Sequence, residues 1–382
     1  MNSWIVSKFG GSSVKDGHAM LCCSQIVENN PKIKITILSA TYNTTNQLEM
    51  VARASESGDL EMLNKVISEL EHKHRAIASE LFSSQLVHDE LSKLFDELKN
   101  LSNDIIKAQT YSSEIMDQIY SLGERMSSLI FADLLKLRMP DCNVIFFDAR
   151  KVIKTNSEFR AAEPQIEIIA SCAKKEILPL LADPKTIIVT QGFIGEDLTG
   201  KTTTLGREGS DYSAALMAEA IDAELIQIWT DVDGVASCDP RLIPDAKFIS
   251  EMSYDEATAL ATLGAKVLFP RTLLPAKRKN IPVFVGASTR PLSPGTLIKN
   301  YSDTTFKLKA VTLQNIKNEN YLSFVGSNLE KTENLVEKIL DKMGDQKVHF
   351  VFVDYTHVSI TFKVVNLDKL VALKLAHQIL LN

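Results

Sequence analysis

The segment Lys8-Phe9-Gly10-Gly11-Ser12-Ser13-Val14 sets a full positive charge just before two adjacent glycines. Glycine lets backbone approach a ligand closely and aim N–H groups at it, and a helix starting near Ser13 adds its positive end. That chemistry suits a phosphate. It is equally a Gly-Gly turn with a solvated lysine, and it matches neither standard glycine-rich nucleotide motif. A second polar, glycine-rich stretch joins Gly192-Phe193-Ile194-Gly195 to Thr202–Asp211 and leads into a helix over Asp211–Ala220. There Arg207 can grip a carboxylate with two parallel bonds, Ser210 offers a hydroxyl, and Asp211 is either functional or a helix-start residue. Trp229-Thr230-Asp231-Val232-Asp233-Gly234, followed by Asp239-Pro240-Arg241, ends a strand, where open α/β sheets bind ligands; an Asp/Gly turn explains it as well. In Gly264-Ala265-Lys266-Val267-Leu268 the lysine lies just past a helix, placed for a helix C-terminus or for a nucleotide phosphate. Glu124 shares a helical strip with Tyr120, Ser121, Ser127 and Ser128, so it can hold a ligand ammonium or form a surface ion pair.

These residues need elements to carry them. Short β-rich runs at Trp4–Ser7, Ile33–Leu38, Val144–Asp148, Thr186–Thr190, Leu225–Trp229 and Ile281–Val285 alternate with helical patterns. Most runs are continuously apolar, as in strands covered on both faces, which makes residues 1–300 an α/β unit. A proline-free helical region, about 45–138, is expected to cap one sheet edge. Turn chemistry at Ser293-Pro294-Gly295 marks a break. The tail reads β-β-α-β-β-α: strands Lys307–Gln314 and Tyr321–Val325, an amphipathic helix Thr332–Met343 striped by Leu335, Val336, Ile339, Leu340 and Met343, a hairpin of Lys347–Val353 and His357–Lys363 around Asp354-Tyr355-Thr356, and a last helix capped by Asn366.

Composition narrows the class. The chain has 382 residues, 45% hydrophobic and 24% charged, with a net charge of −6, which argues against a nucleic-acid partner. No apolar run is long enough for a membrane span, and the N-terminus lacks a signal-peptide layout. Five scattered cysteines and no His/Cys cluster point to a reducing cytoplasm without a structural zinc.

Read together, Lys8-Phe9-Gly10-Gly11-Ser12-Ser13-Val14, Leu38-Ser39-Ala40 with Thr45-Asn46, Arg160 with Ala162-Glu163-Pro164, Thr190–Gly195, Thr202–Ser213, Trp229–Gly234, Asp239-Pro240-Arg241 and Gly264–Leu268 resemble, in family order, the aspartokinase signature of the amino acid kinase family. The likeness is greatest to its monofunctional, lysine-sensitive branch. It implies a three-layer α/β/α sandwich over residues 1–300, followed by a small α+β ACT-like domain over 301–382. It implies ATP-dependent phosphorylation of L-aspartate to 4-phospho-L-aspartate, the first step of lysine, threonine and methionine (diaminopimelate) biosynthesis. Lys8 and Asp211 would then be catalytic. Ser39, Thr45, Glu124, Arg207 and Ser210 would hold aspartate, with Arg207 on the α-carboxylate and Glu124 on the ammonium. Lys8, Gly10, Gly11, Thr230, Asp231, Arg241 and Lys266 would line the ATP site, and Mg²⁺ would ride on the nucleotide phosphates rather than in a protein cage. The alternative is a catalytically weak paralogue acting as a ligand-binding partner subunit, favoured by Glu208, where the family usually has glycine, and by the short tail. Asn43 also replaces a usual glycine, Ala236 a frequent tyrosine and Phe269 a common histidine. The family's inner, effector-binding ACT unit is missing between Ile316 and Tyr321, and a homodimer or larger homo-oligomer through the remaining unit is expected.

Overall fold

The computed structural model describes residues 3–265, 270–300, 306–344, 349–365 and 368–381. The chain divides into two compact units, Met1–Asp231 with Gly286–Leu292, and Val232–Val285 with Ser293–Asn382.

The first unit runs β1 (Ile5–Phe9), α1 (Gly17–Glu28), β2 (Ile33–Leu38), α2 (Thr44–Ser57), α3 (Leu60–Glu80), α4 (Gln85–Ala108), α5 (Ser113–Arg138), β3 (Asn143–Phe147), β4 (Lys154–Thr155), α6 (Ile166–Glu176), β5 (Thr186–Gln191), β6 (Ile194–Asp197), β7 (Thr202–Thr204), α7 (Gly209–Ala220) and β8 (Leu225–Thr230). Five strands form a parallel sheet in the order β3-β5-β2-β1-β8. Helices α1 and α5 cover one face and α6 and α7 the other, giving the three α/β/α layers. Every residue of β1 and β5 is buried, as in strands covered on both faces. From β1 the chain steps to β2 on one side, and later arrives at β8 on the other. The carboxyl end of β1 is therefore a point where the winding reverses, the place such sheets leave open for ligands.

The helical region departs from expectation in one respect. It does not cap an edge: α5 packs on β2, β3 and β5, and α2, α3 and α4 pack on α5. The cause is that α5 is buried on all sides, with Ile119, Leu122, Met126, Ile130 and Leu134 on one face and Tyr120, Ser121, Ser127, Ser128 and Leu135 on others, and a helix covered all round belongs inside.

The second unit contains β9 (Glu251–Ser253), α8 (Tyr254–Thr262), α9 (Pro270–Lys279), β10 (Val283–Ala287) and β11 (Thr296–Lys299), then β12 (Lys307–Ile316), β13 (Glu319–Ser327), α10 (Leu335–Gly344), β14 (His349–Tyr355), β15 (Ser359–Val365) and α11 (Lys369–Leu381). The last six elements form the ACT-like part in the expected β-β-α-β-β-α order. Their antiparallel sheet, β12-β13-β15-β14, shares a core with the helices: Val311, Leu322, Phe324, Ile360 and Phe362 against Leu335, Ile339, Ala372, Leu373 and Ala376. Strands β12 and β13 are joined by Lys317-Asn318 alone, both at positive φ (50° and 66°), the geometry of a two-residue hairpin. That turn lies between Ile316 and Tyr321, where the resemblance implies a missing inner unit. The closing hairpin turn lies at Thr356–Val358, two residues beyond the expected Asp354-Tyr355-Thr356, because β14 continues through Tyr355. Asn366, like Lys266 and Phe269, lies outside the described residues.

Candidate active site

A cleft of about 500 Å³ opens at the carboxyl end of β1. It gathers Lys8, Gly11, Ser39, Thr45, Glu124, Arg207, Ser210 and Asp211 from four separate stretches of sequence. Gly10 adjoins it: its N–H donates to the Trp229 carbonyl at 3.0 Å, tying the loop to β8.

Lys8 is the penultimate residue of β1 and only 7% exposed. Its stem is covered, and its ammonium meets Asp211 Oδ1 at 2.5 Å. Asp211 lies in the first turn of α7, and from there its carboxylate pairs with the lysine. The N-terminus of this 12-residue helix brings Ser210 and the Arg207–Gly209 loop to the cleft, adding positive potential there.

Glu124 is not in a surface ion pair. It is 4% exposed on α5, and the Ser121, Ser127 and Ser128 strip around it is buried with it. The helix comes this close to the β2 loop because residue 123 is glycine: a Cβ there would stand 2.8 Å from the Ala40 Cβ. Ala40 N–H donates to Glu124 Oε1 at 3.1 Å, and Ser127 Oγ donates to the Ser39 carbonyl at 2.7 Å. Glu124 Oε2 is buried with no hydrogen-bond partner among the described residues. Burial pushes the Glu124 carboxyl up to about 8, against the opposing pull of the Ala40 N–H and the Lys8 charge. A buried acid with one idle oxygen suits an incoming cation that can hydrogen-bond.

The start of α2, which carries Thr45, is braced from α3. Lys73 Nζ donates to the Tyr42 carbonyl (3.0 Å), Thr44 Oγ1 (2.7 Å) and Gln47 Oε1 (3.2 Å). Partial burial lowers the Lys73 pKa to about 8.

Thr230 and Asp231 end β8, with Thr230 Oγ1 donating to Asp231 Oδ1 at 3.0 Å. Arg241 belongs to the second unit and bonds Asp239 at 2.7 and 3.0 Å. Neither end of β8 nor Arg241 lines the cleft.

The cleft also contains residues to which the sequence reading gave no role: Thr41, Tyr42, Asn46, Tyr120, Arg160, Phe193 and Thr204. Next to them is Asp117, which that reading missed altogether. Its available signal was position, an acid seven residues and two helical turns before Glu124 in an otherwise apolar stretch.

Known proteins match this arrangement. The model of the amino acid kinase family matches residues 3–287. Lysine-sensitive aspartokinase 3 of Escherichia coli (strain K12) is 37% identical over 361 residues, covering 94% of this chain and 78% of that protein. The aspartokinase of Chlamydia pneumoniae is 35% identical, covering 78% of this chain and 63% of its own length. Among solved structures, E. coli aspartokinase III in complex with aspartate and ADP (R-state) superposes with a TM-score of 0.87 at 29% identity, covering 99% of this chain and 100% of that one. The chain belongs to the amino acid kinase family, among the aspartokinases.

Proposed function

We infer that this chain is an aspartate kinase that transfers the γ-phosphoryl of ATP to the side-chain carboxylate of L-aspartate. One observation carries the reading: a single cleft holds the Lys8–Asp211 pair, a buried Glu124 with an idle oxygen, and Arg207. An α-amino acid with a second carboxylate matches that set of charges. The E. coli relative, solved with aspartate and ADP, supports the same choice.

In this reading Glu124 takes the α-ammonium and Arg207 the α-carboxylate, while Ser39, Thr45 and Ser210 give hydroxyl bonds. The side-chain carboxylate is already ionised at neutral pH, so it attacks phosphorus without a general base. As the new O–P bond forms, the bond to the bridging oxygen breaks and ADP leaves. Lys8, held by Asp211, faces charge that builds on the phosphoryl oxygens. Gly10, Gly11, Thr230, Asp231, Arg241 and Lys266 are assigned to the nucleotide, whose phosphates bring Mg²⁺ with them. The paralogue reading is not favoured, because the charged groups are present and assembled. The product is 4-phospho-L-aspartate, the entry to lysine, threonine and methionine synthesis. We assign residues 1–300 to catalysis and 301–382 to the ACT-like domain.

A homo-oligomer through the ACT-like domain, in the cytoplasm, completes the proposal. Strand β14 is the sheet edge and exposes Val351, Phe352, Val353 and Tyr355, the sort of edge that another chain covers. Among the described residues no helix is long and apolar enough to cross a membrane. The test is ADP release with aspartate, with glutamate and with no acceptor. Turnover on aspartate alone supports the reading, and equal rates in all three arms refute it. Sedimentation of the same preparation reads the assembly, and a monomer at micromolar concentration refutes that part.

A further inference from the structure

Asp117 lies on α5 and is fully buried. Its Oδ2 accepts the backbone N–H of Arg160 at 2.9 Å and of Thr204 at 2.8 Å, and its Oδ1 accepts the Thr204 hydroxyl at 2.7 Å. Both partners line the cleft. The Thr204 carbonyl in turn accepts the Ala162 N–H at 2.9 Å, so the 160–162 segment is fastened to β7 through Asp117 and Thr204. Arg160 stands at φ 72°, a left-handed conformation that crowds an arginine Cβ and persists only where neighbours fix it. Its carbonyl presses on the next part of the site: a Cβ at Gly206 would lie 3.1 Å from Arg160 O. Gly206 directly precedes Arg207.

The same helix carries Glu124, two turns on from Asp117. The first turns of α5 thus anchor the segment leading to Arg207, and the same helix, two turns on, presents the Glu124 carboxylate to the same cleft.

We propose that Asp117 is a positioning residue for the acceptor site: its carboxylate clamps the Arg160 and Thr204 backbone to α5 and so fixes Arg207 relative to Glu124. The clamp sets the span between the group that takes a carboxylate and the group that takes an ammonium, and thereby the acceptor that fits. It acts through hydrogen-bond geometry and not through charge. The proposal rests on the aspartate kinase reading above.

Two substitutions separate geometry from charge. In Asp117→Asn the amide oxygen can accept both backbone N–H groups, and the NH₂ can donate to the Thr204 hydroxyl, which turns from donor to acceptor. In Asp117→Glu the charge stays, but an extra methylene moves the carboxylate off its partners. The readout is the KM for aspartate beside the KM for ATP, because KM does not depend on how much enzyme folds. The expected result is an aspartate KM raised on the order of tenfold or more in Asp117→Glu, with the ATP KM within about threefold of wild type. Asp117→Asn should stay within about threefold on both. An Asp117→Glu enzyme with wild-type aspartate KM overturns the clamp. So does an Asp117→Asn enzyme impaired as badly as Asp117→Glu, or a parallel rise in both KM values. Wild-type turnover on aspartate checks the underlying reading separately: without it both fall, and with it these outcomes sink the clamp alone.

Discussion

Glu124→Gln should change how the folded protein responds to pH. In the folded chain the Glu124 carboxyl is held up near 8 by burial, against an ordinary 4.5. As pH rises past 4.5 the unfolded chain releases this proton while the folded chain keeps it, so folding stability declines. The decline stops above about 8, where both states have lost the proton. At roughly 1.4 kcal/mol per pH unit, the whole window amounts to several kcal/mol, most of which falls between pH 5 and pH 8. Glutamine keeps the shape and an acceptor for the Ala40 N–H but cannot ionise. Urea unfolding of both proteins at several pH values gives the assay. Their difference in stability should move by a few kcal/mol in favour of the glutamine variant from pH 5 to pH 8, since titrating groups common to both proteins largely cancel. The same proton has a ligand-side signature. An ammonium docking on Oε2 favours the ionised form, so aspartate binding near pH 7 should release close to one proton, seen by calorimetry in buffers of different ionisation heat. A stability difference that stays flat with pH, together with no proton release, would refute the assignment of Glu124 as a buried neutral acid awaiting a cation.

Lys8→Ala should lower kcat by roughly 10²-fold or more with a smaller change in the KM for ATP, because the lysine acts on charge that develops in transfer; steady-state kinetics with near-normal kcat would contradict this. Glu208→Gly should raise stability by about 0.5–1 kcal/mol, since Glu208 caps α7 at φ 55° and glycine adopts that conformation without a Cβ penalty; a lower urea midpoint at unchanged slope would contradict it. Lysine should give no saturable inhibition. Strands β12 and β13 are joined directly by the Lys317-Asn318 turn, where the resemblance implies that the family's effector-binding unit is missing, and a ligand without a pocket has no differential affinity to offer two states. Aspartate turnover against rising lysine, with threonine and methionine as controls, tests that directly.

The parts of the fold that were legible in the sequence are those set by local pattern. Strand β2 is found at Ile33–Leu38 as read, since its limits follow from an apolar run between polar ends. Strand β1 was read as Trp4–Ser7 but runs Ile5–Phe9. A lysine reads as the end of a strand, yet Lys8 stays inside because Asp211, 203 positions later in the chain, accepts its ammonium. Glu124 was legible only as a choice between a surface pair and a ligand contact. What decides between them is the approach of Ala40 at Gly123, a tertiary contact. Asp117 was illegible for the same reason. Its partners are backbone N–H groups 43 and 87 positions away, and backbone groups leave no mark on a sequence.

Conformational cost gives independent evidence about how this cleft works. Four residues that line it, Asn43, Arg160, Phe193 and Glu208, are not glycine and yet have φ between 55° and 72°. Asparagine tolerates that region; the other three do not favour it, at about 1–2 kcal/mol each. Such residues persist where surrounding bonds over-determine them. Phe193 N–H donates to Ser213 Oγ at 2.9 Å and its carbonyl accepts the Leu205 N–H at 2.9 Å, Arg160 is held by Asp117, and the Glu208 carbonyl accepts the first-turn N–H groups of Asp211 and Tyr212. Each strained residue is therefore fixed by contacts within the protein, with no ligand needed to hold it. Glu124 Oε2, buried in this cleft, has no hydrogen-bond partner among the described residues, and the proposed reading gives it the substrate's ammonium.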